Sequence, residues 1–144
     1  MSQENSIPSP SNLESLVPPL DLCRKIPEGQ FSRSVFVWSY SCDKRKTEPF
    51  LDERDCIEFC RRDMVNAPPV FPAPNAIEIF LALAEIGADM PSLSMRNNNP
   101  WTADCWARID PQDPRMYHVC IDDPNPATAA MKLWLHVYNG MALQ

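Results

Sequence analysis

Residues 101–140, WTADCWARIDPQDPRMYHVCIDDPNPATAAMKLWLHVYNG, decide the fold. From Thr102 to Ile109 the chain alternates, with Ala103, Cys105, Ala107 and Ile109 on one side and Thr102, Asp104, Trp106 and Arg108 on the other. Successive strand side chains point to opposite faces, so this pattern predicts a half-buried strand. Asp110 to Pro114 is turn chemistry. Met116 to Ile121 then alternates again, with Tyr117, Val119 and Ile121 set against Met116, His118 and Cys120. The two runs predict an antiparallel hairpin, 102–109 paired with 116–121. Asn125 then stands as a cap and Pro126 at the first helical position. Ala127, Ala130, Met131, Trp134, Leu135 and Tyr138 follow at intervals of three and four until Gly140. That spacing predicts an amphipathic helix closing the core, with Lys132 and His136 on its polar side.

Toward the N-terminus, Asn75 with Glu78 three residues on forms a capping-box signal. Ile77, Ile79, Phe80, Leu81, Leu83, Ala84 and Ile86 follow, and Gly87 ends the run. With only Glu78 and Glu85 charged, this helix is expected to be almost wholly buried. The preceding APPVFPAP (67–74) reads as an extended link, because residues before proline avoid the helical region. Asp52 reads as the N-cap of a helix through about Met64. Cys56, Ile57, Cys60 and Met64 would face inward, and Arg54, Asp55, Glu58, Arg61 and Arg62 outward. Cys42 to Pro49 is a charged connection. Ser34 to Ser41 (SVFVWSYS), after a Glu28-Gly29 turn signal, is dense in β-branched and aromatic residues and predicts a strand. Leu13, Leu16, Leu20 and Cys23 keep helical spacing, but Pro18 and Pro19 divide them into two short pieces ending before Pro27.

The expected fold is therefore α+β: a small, mainly antiparallel sheet, made of the hairpin 102–109/116–121 and strand 34–41, flanked by helices. A three-layer sandwich is one way to arrange it. Residues 1–11, rich in Ser, Pro, Asn and Gln, read as a disordered tail, and 12–144 as a single domain with one core. With 16 Pro against 3 Gly, the domain should be rich in stiff connections. The net charge of -6 opposes the phosphate attraction on which nucleic-acid binders depend. Acidic residues are interleaved with Arg and Lys, so no DNA-mimicking acidic run forms. There is no basic leader followed by an apolar stretch, and no run of the ~18 apolar residues that a membrane span needs. The expected location is the cytoplasm, where the six cysteines would stay reduced.

Three stretches together resemble a family: PVFPAPNAIEIFLALAEIG, WTADCWARID and NPATAAMKLWLHVYNG. A proline lead-in, a helix, an aromatic strand pair and an Asn-Pro-Ala helix start are laid out as in the phage ABA sandwich domain of small phage and prophage proteins. The resemblance spans about residues 68–140. It implies helices packed on an antiparallel sheet and a mobile-element origin. It transfers no functional residue, and the helix expected at 52–64 lies outside its pattern.

Metal binding is the sharpest chemical expectation. Cys56 and Cys60 could share a helix face, with Cys42 and either His118 or Cys120 completing a zinc site. Against this, no C-x-x-C pair exists, and cysteine on an apolar stripe behaves as a small hydrophobe. His118 and Cys120 point to one strand face, but neighbours at i and i+2 lie about 7 Å apart, too far for a direct hydrogen bond. His136, near a helix C-terminus, reads as a solvated polar residue. Three glycines cannot build a phosphate loop. The cluster Lys44-Arg45-Lys46, with Arg61 and Arg62, reads as solvated rather than as a nucleic-acid patch. No catalytic constellation is assembled, so an enzyme is not expected. The expected function is non-enzymatic protein binding through Trp101, Trp106 and Arg108 if their side of the strand is exposed. A helix covering it in a three-layer sandwich is the other reading, and the sequence leaves the two open. The alternative is a small metal-supported nucleic-acid accessory protein using Cys42, Cys56 and Cys60 beside the 44–46 loop. The sequence leaves partner identity and oligomeric state open.

Overall fold

Frequent prolines divide the chain into short elements. The computed structural model describes residues 13–41, 48–95 and 100–142. The expected tail, Cys42 and the Lys44-Arg45-Lys46 cluster lie outside them. In chain order the elements are α1 (Leu20–Cys23), β1 (Phe36–Tyr40), β2 (Pro49–Glu53), α2 (Arg54–Arg61), β3 (Val70–Ala73), α3 (Ala76–Glu85), β4 (Asp89–Met95), β5 (Trp101–Ala107), β6 (Tyr117–Asp123) and α4 (Pro126–Ala142). The class is α+β, and all strand pairs are antiparallel. Among the described residues, no helix is long and apolar enough to cross a membrane.

The hairpin and closing helix form as their patterns demand. Ala103, Cys105 and Ala107 of β5 turn inward and are buried. Their small side chains let α4 lie close against β5 and β6. The helix contributes Ala129, Ala130, Met131, Leu133, Trp134 and Val137 to the same core. Trp134 is flanked edge-on by Phe31 at 4.9 Å and stacked on Tyr138 at 4.6 Å. At the helix start, Asn125 Oδ1 accepts from the Thr128 backbone N–H at 3.0 Å, as a cap does. Helix α3 packs beside α4 and over β4. Its capping box is complete, and Gly87, at φ 93°, lets the Gly87 and Ala88 N–H groups reach back to Ala84 and Leu83.

The strands divide into two sheets, β2-β1-β3 and β4-β5-β6, where a single sheet was expected. Strand β1 has β2 on one edge and β3 on the other, so neither edge is free to meet the hairpin. The 67–74 link supplies β3, and its Pro72 is tolerated because β3 is an edge strand. Edge strand β4 has no counterpart in the sequence reading. Its pattern is broken by Pro91, by Met90 at φ 52° and by an irregularity between Asp89 and Ser92. Among the described residues there are likewise two core clusters. The smaller, Val17, Cys23, Trp38 and Ala73, meets the larger through Ile26, which packs on both. Pro18 ties the smaller cluster together: its carbonyl accepts from Trp38 Nε1 at 3.0 Å and from the Cys23 thiol at 3.4 Å.

Helix α2 corrects the reading of 52–64. Asp52 belongs to β2, and the helix begins at Arg54 after Glu53, with no side-chain cap. Cys56, Cys60 and Met64 are exposed and Ile57 alone of that stripe is buried. Arg54 and Arg61 turn inward instead. Arg54 Nε donates to Ser34 O at 2.8 Å, and Arg61 donates to Pro68 O at 3.1 Å and to Tyr40 O. Backbone carbonyls left open beside β1 need donors, and the long arginine stems can be buried while delivering them. Helix α3 is also less buried than expected. Ile79 and Leu83 are enclosed, but Ile77 and Leu81 face outward at 72% and 64% exposure, because α3 packs through one side only. Finally, Gly140 does not end α4, which continues to Ala142.

Candidate functional site

The outer face of the second sheet gathers the chemically capable side chains. Alternation along β5 that buries Ala103, Cys105 and Ala107 turns Thr102, Asp104 and Trp106 the other way. The hairpin register then sets Asp104 opposite Cys120, Trp106 opposite His118 and Thr102 opposite Asp122. On the other edge, β4 places Ser92 opposite Asp104. Among the described residues, no element covers this face at Trp106, which is 44% exposed.

His118 is held from two directions. Its Nε2 lies 2.9 Å from Asp104 Oδ2, and its ring stacks on Trp106 with centroids 5.1 Å apart and planes 27° apart. The Ser92 hydroxyl donates to the other carboxylate oxygen, Asp104 Oδ1. Thr102 Oγ1 donates to Asp122 Oδ1 at 2.6 Å. Cys120 Sγ stands 3.7 Å from both His118 Nδ1 and His118 Nε2. The expected separation of about 7 Å is a backbone spacing, and the side chains lean across it.

Equal distances to both ring nitrogens leave the sulfur in line with neither lone pair. In-line approach is what a hydrogen bond, and proton abstraction from the thiol, requires. The triad-like set therefore lacks the alignment of an activated nucleophile. It does bring one oxygen, one nitrogen and one sulfur donor within 4.8 Å of one another, from Asp104, His118 and Cys120. Among the described residues no other group of three His, Cys, Asp or Glu side chains converges in this way.

The remaining expected site residues separate. Cys56 and Cys60 lie exposed on α2 and join no such group. Desolvation, then the charges of Asp52 and Glu53, push the Cys56 thiol up from its ordinary range, which disfavours the thiolate a metal needs. Trp101 is half-buried and, by alternation, shares the inner side with Ala103. Arg108 braces the hairpin loop, donating to Pro111 O at 2.8 Å and Asp113 O at 3.2 Å. Of the three proposed binding residues only Trp106 is open to solvent. His136 is exposed on α4, as expected.

Sequence reasoning missed Asp104 and Ser92. The outward position of Asp104 was readable from the alternation, but its place opposite Cys120 depends on a register that the long 108–116 loop leaves undetermined. A cleft of about 360 Å³ between 32–35 and the start of α2 holds Arg33 and Arg54 beside Glu53, Asp55 and Glu58. Its charges are mixed, and Arg54 is committed to backbone carbonyls. Comparison of the chain with models of protein families, with curated proteins and with solved structures found no match.

Proposed function

We propose that this chain is a non-enzymatic protein-binding module, which presents Trp106 on the outer face of the second sheet to a basic segment of its partner. The observation that carries the reading is an exposed tryptophan already held in place. Stacking on His118, itself bonded to Asp104, fixes the indole before any partner arrives, so little side-chain entropy is lost on contact. Tryptophan is also the side chain most enriched among residues that dominate binding energy. The partner's chemistry follows from charge: Asp104 and Asp122 share the face, and the chain carries a net charge of -6. A partner lysine or arginine would meet both the carboxylates and the indole π-face. A phage or mobile-element origin, with action in the host cytoplasm, rests on the resemblance of residues 68–140 alone.

The test is paired capture from host lysate with the wild-type chain, Trp106→Ala and Phe59→Ala, which alters an exposed aromatic on α2. A stoichiometric partner held by the wild type and Phe59→Ala, but weakened by about 2 kcal/mol or more in Trp106→Ala, supports the reading. Equal capture by all three, or recovery of the bare protein, overturns it.

A further inference from the structure

We propose that Asp104, His118 and Cys120 form a binding site for a divalent transition-metal ion of the zinc class, with its fourth position open to solvent. The donors come from two adjacent strands whose pairing is fixed by the sheet. A tetrahedral ion bound at about 2.3 Å to sulfur and about 2.0 Å to nitrogen and oxygen sets sulfur and nitrogen about 3.5 Å apart, and nitrogen and oxygen about 3.3 Å apart. The observed separations are 3.7 Å from Cys120 Sγ to His118 Nε2 and 2.9 Å from His118 Nε2 to Asp104 Oδ2. An ion on Nε2 therefore requires Cys120 Sγ, now equidistant from both ring nitrogens, to swing toward Asp104 by rotation about its Cα–Cβ bond. Cys120 is exposed, and all three donors already lie within 4.8 Å of one another.

The chemistry of the donor set points the same way. A thiolate and an imidazole together favour zinc and its neighbours over magnesium or calcium, which take oxygen ligands alone. Without an ion, a thiol placed directly opposite a carboxylate gains little. A cation turns three converging lone pairs into mutual support. The surrounding contacts are those that orient metal ligands: Ser92 holds the far oxygen of Asp104, and Trp106 fixes the plane of His118. Binding releases the Cys120 thiol proton, and His118 ligates through the ring nitrogen that carries none. Three protein ligands and solvent access leave one position for water or a partner's side chain.

Partner capture and ion binding can fail separately, so this inference does not depend on the protein-binding reading. The test titrates the reduced, chelator-treated full chain with cobalt(II), followed by displacement with zinc. One equivalent should bind, with a thiolate-to-cobalt charge-transfer band and the intense d–d bands of tetrahedral coordination. Cys120→Ser should lose the charge-transfer band, and His118→Ala and Asp104→Ala should each weaken binding by about tenfold or more. The double variant Cys56→Ser/Cys60→Ser should keep the full spectrum. All these positions are partly or fully exposed, and an unchanged circular dichroism spectrum establishes that each variant folds. Absence of a tetrahedral cobalt spectrum in the wild type overturns the proposal. So does a spectrum that survives Cys120→Ser or disappears in the α2 double variant.

Discussion

At the scale of single residues, a missing side chain decides how α4 meets the hairpin. A Cβ on Gly140 would stand 2.6 Å from the Ile109 carbonyl oxygen, a backbone atom that cannot swing aside. Alanine in place of glycine gains about 1 kcal/mol of helix propensity, but overpacking typically costs about 1–3 kcal/mol. Gly140→Ala should therefore lower stability by about 1 kcal/mol, read from the urea unfolding midpoint. A stabilised variant would mean that the close approach is absent. The sequence showed a glycine near a helix end, which more often stops a helix than serves as a contact. Nothing local distinguishes the two roles, because the atom that needs the space belongs to a residue 31 positions earlier by the numbering. Trp134 teaches the converse. Its spacing marked it as core, and it is fully buried, but its indole N–H has no acceptor among the described residues. Apolar periodicity identifies a buried position without showing whether its polar atom will be satisfied.

At the scale of elements, helix α3 shows what local chemistry can specify. Asn75 Oδ1 accepts from the Glu78 N–H, and Glu78 Oε1 accepts from the Asn75 N–H, both at 2.8 Å. The second oxygen, Glu78 Oε2, accepts from the Val35 N–H at 3.0 Å and ties the helix start to the segment entering β1. Asn75→Ala should cost about 1 kcal/mol in thermal or urea unfolding. Glu78→Ala should cost at least as much, since it breaks both the box and the tether. A smaller loss for Glu78→Ala would show that the tether contributes nothing. The box was legible because its partners lie within one helical turn. The inward side of α2 was not legible. There the apolar stripe and the arginine stripe both fit a helical period, and the neighbouring open carbonyls selected Arg54, Ile57 and Arg61 over the cysteines. Strands β3 and β4 were hidden by prolines and a bulge, which weaken the alternating signal while remaining acceptable at a sheet edge.

At the scale of the whole molecule, the dependence of stability on pH should fall away at both ends. The Cys23 thiol is pushed up from 9.0 to about 12, chiefly by burial, with its contact to Trp38 acting the other way. A group whose folded value is raised contributes full stability below its unfolded value and loses it as pH rises toward the folded one. Stability should thus decline between pH 9.0 and about 12, and Cys23→Ala should flatten that decline. The Asp113 carboxyl is held well below the usual carboxylate range by side-chain bonds from Arg115 and Tyr117 and by the Arg115 backbone N–H. Its contribution is present above about pH 4 and lost as pH falls toward the depressed folded value, so Asp113→Asn should blunt the acid decline. Urea midpoints measured across pH for the wild type and both variants check the two claims. Wild-type and variant profiles that run parallel would refute them.

By itself the sequence determined the α+β class, the hairpin, the closing helix with its Asn125 cap, and the complete capping box of α3. Each depends on periodicity or on bonds spanning a few residues, which propensity and side-chain chemistry settle locally. The tertiary structure alone decided that the strands form two sheets, that arginines fill the inner side of α2, and that Asp104 joins His118 and Cys120. Those outcomes depend on which strands pair, in which register, and which carbonyls need donors. They are settled by competition among segments distant in the chain, where one step of register moves every side chain to the opposite face.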